Sequence, residues 1–195
     1  MDYLEILWSD FKKGNNSAFE KIYQKYIDIL YRYGSKITYD KNIVKDSIQQ
    51  LFLELYSSRK ELTNPENLEF YLLKALKRII IHRTNNDLKQ GGLFWGGDFD
   101  FNLEFDFADE QSTNEYQESK MQLLNVALQS LPPNKKELLF LKFYSGLKND
   151  QIASLVDMNP ATVQKQIYRI LKQLQVKFND QFIGLFFLHF LKQKN

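Results

Sequence analysis

The sequence predicts an all-α fold on three observations. Apolar residues recur at intervals of three and four over most of the 195 positions. Alternating apolar–polar runs of the strand type are scarce. Eight Gly and four Pro are few turn residues for a chain of this length. That length allows one large domain or two small ones, and the charge distribution favours two. Residues 1–88 carry 14 Lys and Arg against 12 Asp and Glu, a balance of +2. Residues 89–119 carry one against eight (−7), and residues 120–195 carry eleven against four (+7). The overall charge of +2 thus hides an acidic bridge between a mildly basic module and a strongly basic one, and a basic module suits a polyanionic partner.

From Asn16 to about Asn86 three apolar stripes imply three or four helices, enough for a small bundle. Phe19, Ile22, Tyr23, Tyr26, Ile29 and Leu30 form the first; Ile43, Ile48, Leu51, Phe52 and Leu55 the second; Leu72, Leu73, Leu76, Ile79 and Ile80 the third. The stretch Gly91–Ser119, with four glycines and many acids, holds no sustained helical period, and 89–119 is read as an acidic flexible linker. Carboxylate repulsion disfavours packing its alternating acids and phenylalanines into a sheet. A second helical block begins near Met121. In "LPPNKKE" Asn134 is placed to cap a helix and Glu137 to complete a capping box, with Gly146 as its stop.

Next comes "NDQIASLVDMNPATVQKQIYRI", Asn149–Ile170. Ile152, Leu155 and Val156 face inward on a first short helix, and Ala153 permits close approach of a neighbour. Asn159 caps a second helix, with Pro160 at its first position, where a missing N–H costs nothing. Val163, Ile167, Ile170, Leu171 and Leu174 turn inward on this second helix, leaving Ala161, Lys165, Arg169 and Lys172 outside with Thr162 at the edge. That is a helix-turn-helix pattern, able to offer base-reading groups near the second helix's start while cations reach phosphates. A plain helical hairpin with a solvated basic face is the structural alternative. The tail "VKFNDQFIGLFFLHFLKQKN" makes 177–195 a hydrophobic extension. It reads as a helix covering the second domain, or as a docking or self-association face.

Several chemistries are excluded or unsupported. The chain has no Cys, so disulfides and cysteine-ligated zinc are excluded. Two isolated His, at 82 and 189, offer no nucleophilic triad. "GGLFWGG" lacks the Lys-Ser/Thr of a phosphate loop. "DFDFNLEFDFAD" approaches the ligand spacing of a calcium loop, but Leu103 stands where the turn needs Gly and Asp109 where a bidentate Glu belongs. No cofactor or metal is expected. "MDYLEILWSDFKK" does not read as a signal peptide, and "FIGLFFLHFL" is about half the ~20 residues of a membrane span, so no membrane insertion and a cytoplasmic location are expected.

"ALQSLPPNKKELLFLKFYSGLKNDQIASLVDMNPATVQKQIYRILKQL" resembles the C-terminal DNA-binding region of extracytoplasmic-function sigma factors of the bacterial sigma-70 family: a Leu-Pro-Pro, an apolar helix closed by Gly, an Ile-Ala helix, then a Thr-Val helix ending in Arg. The first module resembles the same family independently, in "GNNSAFEKIYQKYIDILYRY", "KDSIQQLFLELY" and "FYLLKALKRIIIHRTN". The resemblance implies an alternative sigma factor with no catalysis of its own. Residues 1–88 would bind core RNA polymerase and melt the −10 element, and residues 120–176 would read the −35 element of promoter DNA. An anti-sigma factor is an expected partner. By motif position Asp46 and Gln49 would dock on the polymerase. Tyr71, Lys74, Lys77, Arg78 and His82 would serve the −10 strand, Tyr71 being equally a candidate for the core. Thr162, Lys165, Gln166, Arg169 and Lys172 would serve the −35 duplex.

The chain departs from the family pattern at Arg78, His82, Lys148, Gln151 and Gln166. The rival reading is a stand-alone helix-turn-helix regulator whose first domain binds a ligand or partner. It explains residues 120–175 equally well, but not the three matching segments before residue 86.

Overall fold

The computed structural model describes residues 3–87, 101, 103 and 115–177, and their regular structure is helical throughout. The chain divides into two units, Met1–Phe94 and Trp95–Asn195. The hydrophobic extension and most of the acidic stretch lie outside the described residues.

Unit 1 contains α1 (Tyr3–Lys12), α2 (Asn16–Ile37), α3 (Lys41–Ser57) and α4 (Leu68–Asp87). Three of these carry the three stripes read from sequence; α1 is additional. Each later helix starts at a side chain that satisfies orphan amides. Asn15 accepts from the amides of Ser17 and Ala18, Asp40 from those of Asn42 and Ile43, and Asn67 from that of Phe70. Gly14, at φ 93°, makes the turn out of α1. Burial follows the stripes: Ile22, Leu30 and Tyr33 from α2, Val44, Ile48 and Leu51 from α3, and Leu72, Leu73, Leu76 and Ile80 from α4. Gly34 lets α2 approach its neighbours, since a Cβ there would lie 2.8 Å from Val44 Cγ1 and 3.2 Å from Ile80 Cδ1. Trp8 and Phe11 anchor α1. Trp8 Nε1 donates to the carbonyl of Thr63 at 3.1 Å, and Lys12 Nζ donates to Asn64 Oδ1 at 2.6 Å, tying α1 to the loop before α4.

Unit 2 contains α5 (Glu115–Gln129), α6 (Pro133–Leu139), a π-helical turn (Phe140–Tyr144), α7 (Asn149–Leu155) and α8 (Pro160–Lys177). Leu124 and Leu128 of α5, Leu138 and Leu139 of α6, Ile152 of α7, and Val163, Ile170 and Leu174 of α8 are buried. The helix expected from Met121 begins earlier, at Glu115. The expected capping box also needs correction. The helix begins at Pro133 with Pro132 in the cap position and no side-chain cap, so Asn134 lies inside it and Glu137 is buried. Proline's preset φ at the first helical position moves the start ahead of Asn134. Gly146 does end this segment, at φ 67°. Within the acidic stretch, Phe101 and Leu103 are buried, and the Phe101 ring meets Phe140 edge-on at 5.8 Å between centroids.

Candidate nucleic-acid interface

In unit 2 the helix-turn-helix begins at Lys148. The Lys148 amide donates to Gln151 Oε1 at 3.0 Å. This is the returning half of a capping box; a lysine has no oxygen to supply the other half. After α7 the chain reverses through Asp157 at φ 53°, a left-handed conformation that a short polar side chain tolerates better than most. The Met158 amide donates back to the Ala153 carbonyl at 2.9 Å. Asn159 then caps α8, its Oδ1 accepting the Ala161 amide at 2.8 Å.

The periodicity of α8 settles what each face shows. Val163, Ile167, Ile170 and Leu174 are buried, whereas Thr162, Lys165, Arg169 and Lys172 are exposed and Gln166 is half-buried. The structure therefore brings Thr162, Lys165, Arg169 and Lys172 onto one outward face, with Gln166 at its margin. It adds Tyr168, 64% exposed between Gln164 and Arg169 on the same side. An aromatic standing off the apolar stripe was the signal for it in the sequence.

In unit 1, Tyr71, Lys74, Arg78 and His82 lie exposed along one side of α4, opposite Leu72, Leu73, Leu76 and Ile80, and Lys77 is half-buried beside them. Successive positions four apart rise about 6 Å each, so the row extends along the helix as a basic track. Tyr71 is 36% exposed and meets Trp8 at 6.3 Å in an edge-on arrangement, at the rim of the core. Lys74 Nζ sits 5.7 Å above the Phe70 ring.

Asp46 and Gln49 are both exposed on α3. Gln49 borders an open groove between α2 and α3, about 900 Å³ in volume, whose floor is Phe19, Tyr23, Ile27, Phe52 and Tyr56 and whose rim includes Asp28, Arg32 and Lys45. Leu53, 63% exposed, stands at the edge of this groove one turn beyond Gln49. Asp46 lies towards α4 instead, 3.9 Å from Arg83 Nη1. Leu53 lies off the apolar stripe of α3, on the polar side with Asp46, Gln49 and Gln50, and a leucine standing there was the signal for it in the sequence.

Among the described residues no cluster of His, Asp and Glu could hold a metal ion, and the calcium-loop-like stretch lies outside them apart from Phe101 and Leu103. No helix among them is long and apolar enough to cross a membrane.

Residues 121–174, from within α5 to near the end of α8, match the family described as Sigma-70, region 4. The chain is 24% identical over 151 residues to RNA polymerase sigma factor SigV of Bacillus subtilis (strain 168), over 77% of this chain and 85% of that protein. Two solved structures share its fold. One is CnrH in complex with the cytosolic domain of CnrY, at TM-score 0.57 and 14% identity, covering 90% of this chain and 96% of that one. The other is the sigma factor RpoE in complex with the anti-sigma factor NepR from Bartonella quintana, at TM-score 0.57 and 16% identity, covering 83% and 98%.

Proposed function

We propose that this chain, a sigma factor of the extracytoplasmic-function type in the sigma-70 family, directs core RNA polymerase to a particular set of promoters by binding their −35 and −10 elements. The observation that carries the reading is the capped helix-turn-helix of residues 148–177, which presents Thr162, Lys165, Tyr168 and Arg169 on one exposed face inside the matched region. An α-helix fits the major groove of duplex DNA. Side chains near its start reach base edges there, while lysine and arginine further along hold the phosphates. In this role Thr162, Lys165 and Gln166 lie nearest the bases, and Arg169 and Lys172 fix the helix on the backbone.

The −10 element is bound as a strand separated from its partner. The α4 track of Lys74, Arg78 and His82 supplies backbone contacts, and Tyr71 offers a partly exposed ring on which an unstacked base can stack. Binding unstacked bases more tightly than paired ones stabilises the open promoter. The chain's contribution is therefore binding energy, and the chemistry of RNA synthesis stays with the polymerase. Asp46, Gln49 and the groove edge at Leu53 form the polymerase-docking face of α3, an apolar anchor rimmed by polar groups.

The chain works in the cytoplasm, where polymerase and promoters are. Its regulation runs through an anti-sigma protein that covers one of these faces. Support comes from two of the solved structures that share its fold, one bound to an anti-sigma factor and the other to a cytosolic domain.

The test is capture of purified core RNA polymerase by the tagged full-length chain, alongside a gel shift of promoter duplex with the chain alone. Capture of polymerase, with a duplex shift only once polymerase is present, is expected. A strong duplex shift without polymerase, and no capture, overturns the reading in favour of a stand-alone regulator.

A further inference from the structure

One polar cluster of unit 1 belongs to neither the basic track nor the apolar groove. Arg83, near the end of α4, turns away from the track towards α3. Its Nε and Nη2 both donate to Gln50 Oε1, at 3.0 and 2.8 Å, and its Nη1 lies 3.9 Å from Asp46 Oδ2. With the oxygen of Gln50 so engaged, its amide nitrogen points the other way along α3 and donates to Glu54 Oε1 at 2.7 Å. Asp46, Gln50 and Glu54 follow one another at four-residue intervals on α3, with one guanidinium from α4 set against the first two. The backbone positions at the two ends of this ladder are about 12 Å apart along the helix axis.

A fork that donates twice to one amide oxygen fixes the orientation of that amide, and the amide in turn fixes the neighbouring carboxylate. The ladder is solvent-facing, with Asp46 61% exposed and Arg83 37%, so it contributes little to folding. Its consequence is geometric: it holds two acidic groups at a set spacing beside Gln49 and Leu53. Two fixed carboxylates at that spacing suit a partner surface carrying cations, and orienting them before docking removes part of the entropic cost of association.

We infer that Arg83 is a positioning residue of the polymerase-docking face, setting the Glu54 carboxylate through Gln50 and the Asp46 carboxylate directly, rather than touching DNA with the rest of α4. This inference rests on the proposed sigma-factor function, and it extends the docking face from α3 onto α4. It also joins the two activities of unit 1 mechanically, because the helix that carries the basic track holds the ladder in place.

Two variants of the full chain test it by titration against core polymerase, with thermal unfolding in parallel. Arg83→Ala releases the ladder. Gln50→Glu keeps and strengthens the link to Arg83 but removes the donor to Glu54 and sets a like charge beside it. Both variants are expected to weaken polymerase binding by roughly fivefold while unfolding close to the wild-type temperature. The paired loss matters, since a residue that merely fastened α4 to α3 would leave Gln50→Glu at wild-type affinity or better. Wild-type affinity in both variants overturns the inference. So does a loss in Arg83→Ala that tracks lowered stability while Gln50→Glu is unaffected. A wild-type chain that does not bind polymerase removes the functional reading itself, and this inference with it.

Discussion

Asn159 Oδ1 accepts the Ala161 amide at 2.8 Å, and this contact sets where the exposed face of α8 begins. Pro160 fixes φ at the first helical position, so cap and proline together define the register of Thr162, Lys165 and Arg169. Asn159→Ala is expected to cost about 1 kcal/mol of stability, read by chemical denaturation, and to weaken −35 binding by assembled holoenzyme. Asn159→Asp, which keeps the acceptor, should restore the stability.

Arg169 and Tyr168 stand side by side on the outward face of α8. Replacing either by Ala removes no core contact. Arg169→Ala should reduce occupancy of the −35 element by about tenfold with polymerase affinity unchanged. Footprinting of holoenzyme on promoter DNA reads this out, and an unaltered footprint would remove α8 from the interface.

Leu53 gives the corresponding prediction for docking. It is exposed, so Leu53→Ala should shift stability by no more than about 0.5 kcal/mol. A truncated anchor at the centre of an interface commonly costs more than 1 kcal/mol of binding. Affinity for core polymerase should therefore fall by a factor of about five or more, while DNA contacts of complexes assembled at saturating concentration stay intact.

Gly34 tests the packing of unit 1. An alanine there gains up to about 1 kcal/mol in helix propensity but places its Cβ 2.8 Å from a methyl of buried Val44. Overpacking of that kind costs about 1–3 kcal/mol, and Val44 is stiff at χ1, so the clash wins. Gly34→Ala should lower the thermal midpoint, and Gly34→Ala with Val44→Ala should lower it by less than the sum of the two single changes.

Phe101 tests whether the acidic stretch is anchored. Its ring is fully buried beside Phe140. Phe101→Ala should destabilise unit 2 by about 3 kcal/mol, measured by denaturant unfolding of the full chain. A ring that contributed no packing would leave the transition unmoved.

Most of the helical architecture was legible because a period of 3.6 writes itself into the apolar residues, and the stripes of unit 1 reappear as buried faces except at Tyr23, which stands exposed in the groove beside α3. Helix α1 was harder to read: Leu7, Trp8 and Phe11 make only a short pattern within ten residues, and its partners lie elsewhere in the chain, the Thr63 carbonyl for Trp8 and the Phe19 ring for Phe11. The start of α6 was misplaced because Asn134 and Glu137 have the residue types of a capping box, while the constraint that decided the matter was the ring of Pro133. Phe101 and Leu103 sit among acids whose composition suggests solvation, yet both are buried, Phe101 against the ring of Phe140 some forty residues away. The faces of α4 and α8 were legible as patterns. The Arg83–Gln50–Glu54 ladder was not, because it joins α3 to α4 across 33 positions of sequence.

Promoter choice conferred by this chain on RNA polymerase is read out by transcription with purified core polymerase from a library of promoters randomised around −35 and −10, with and without the chain. The expected result is chain-dependent transcripts whose templates share a sequence at both elements, with the −35 preference altered in Arg169→Ala. Transcripts that are independent of the chain, or templates that share no sequence at either element, would contradict the claim.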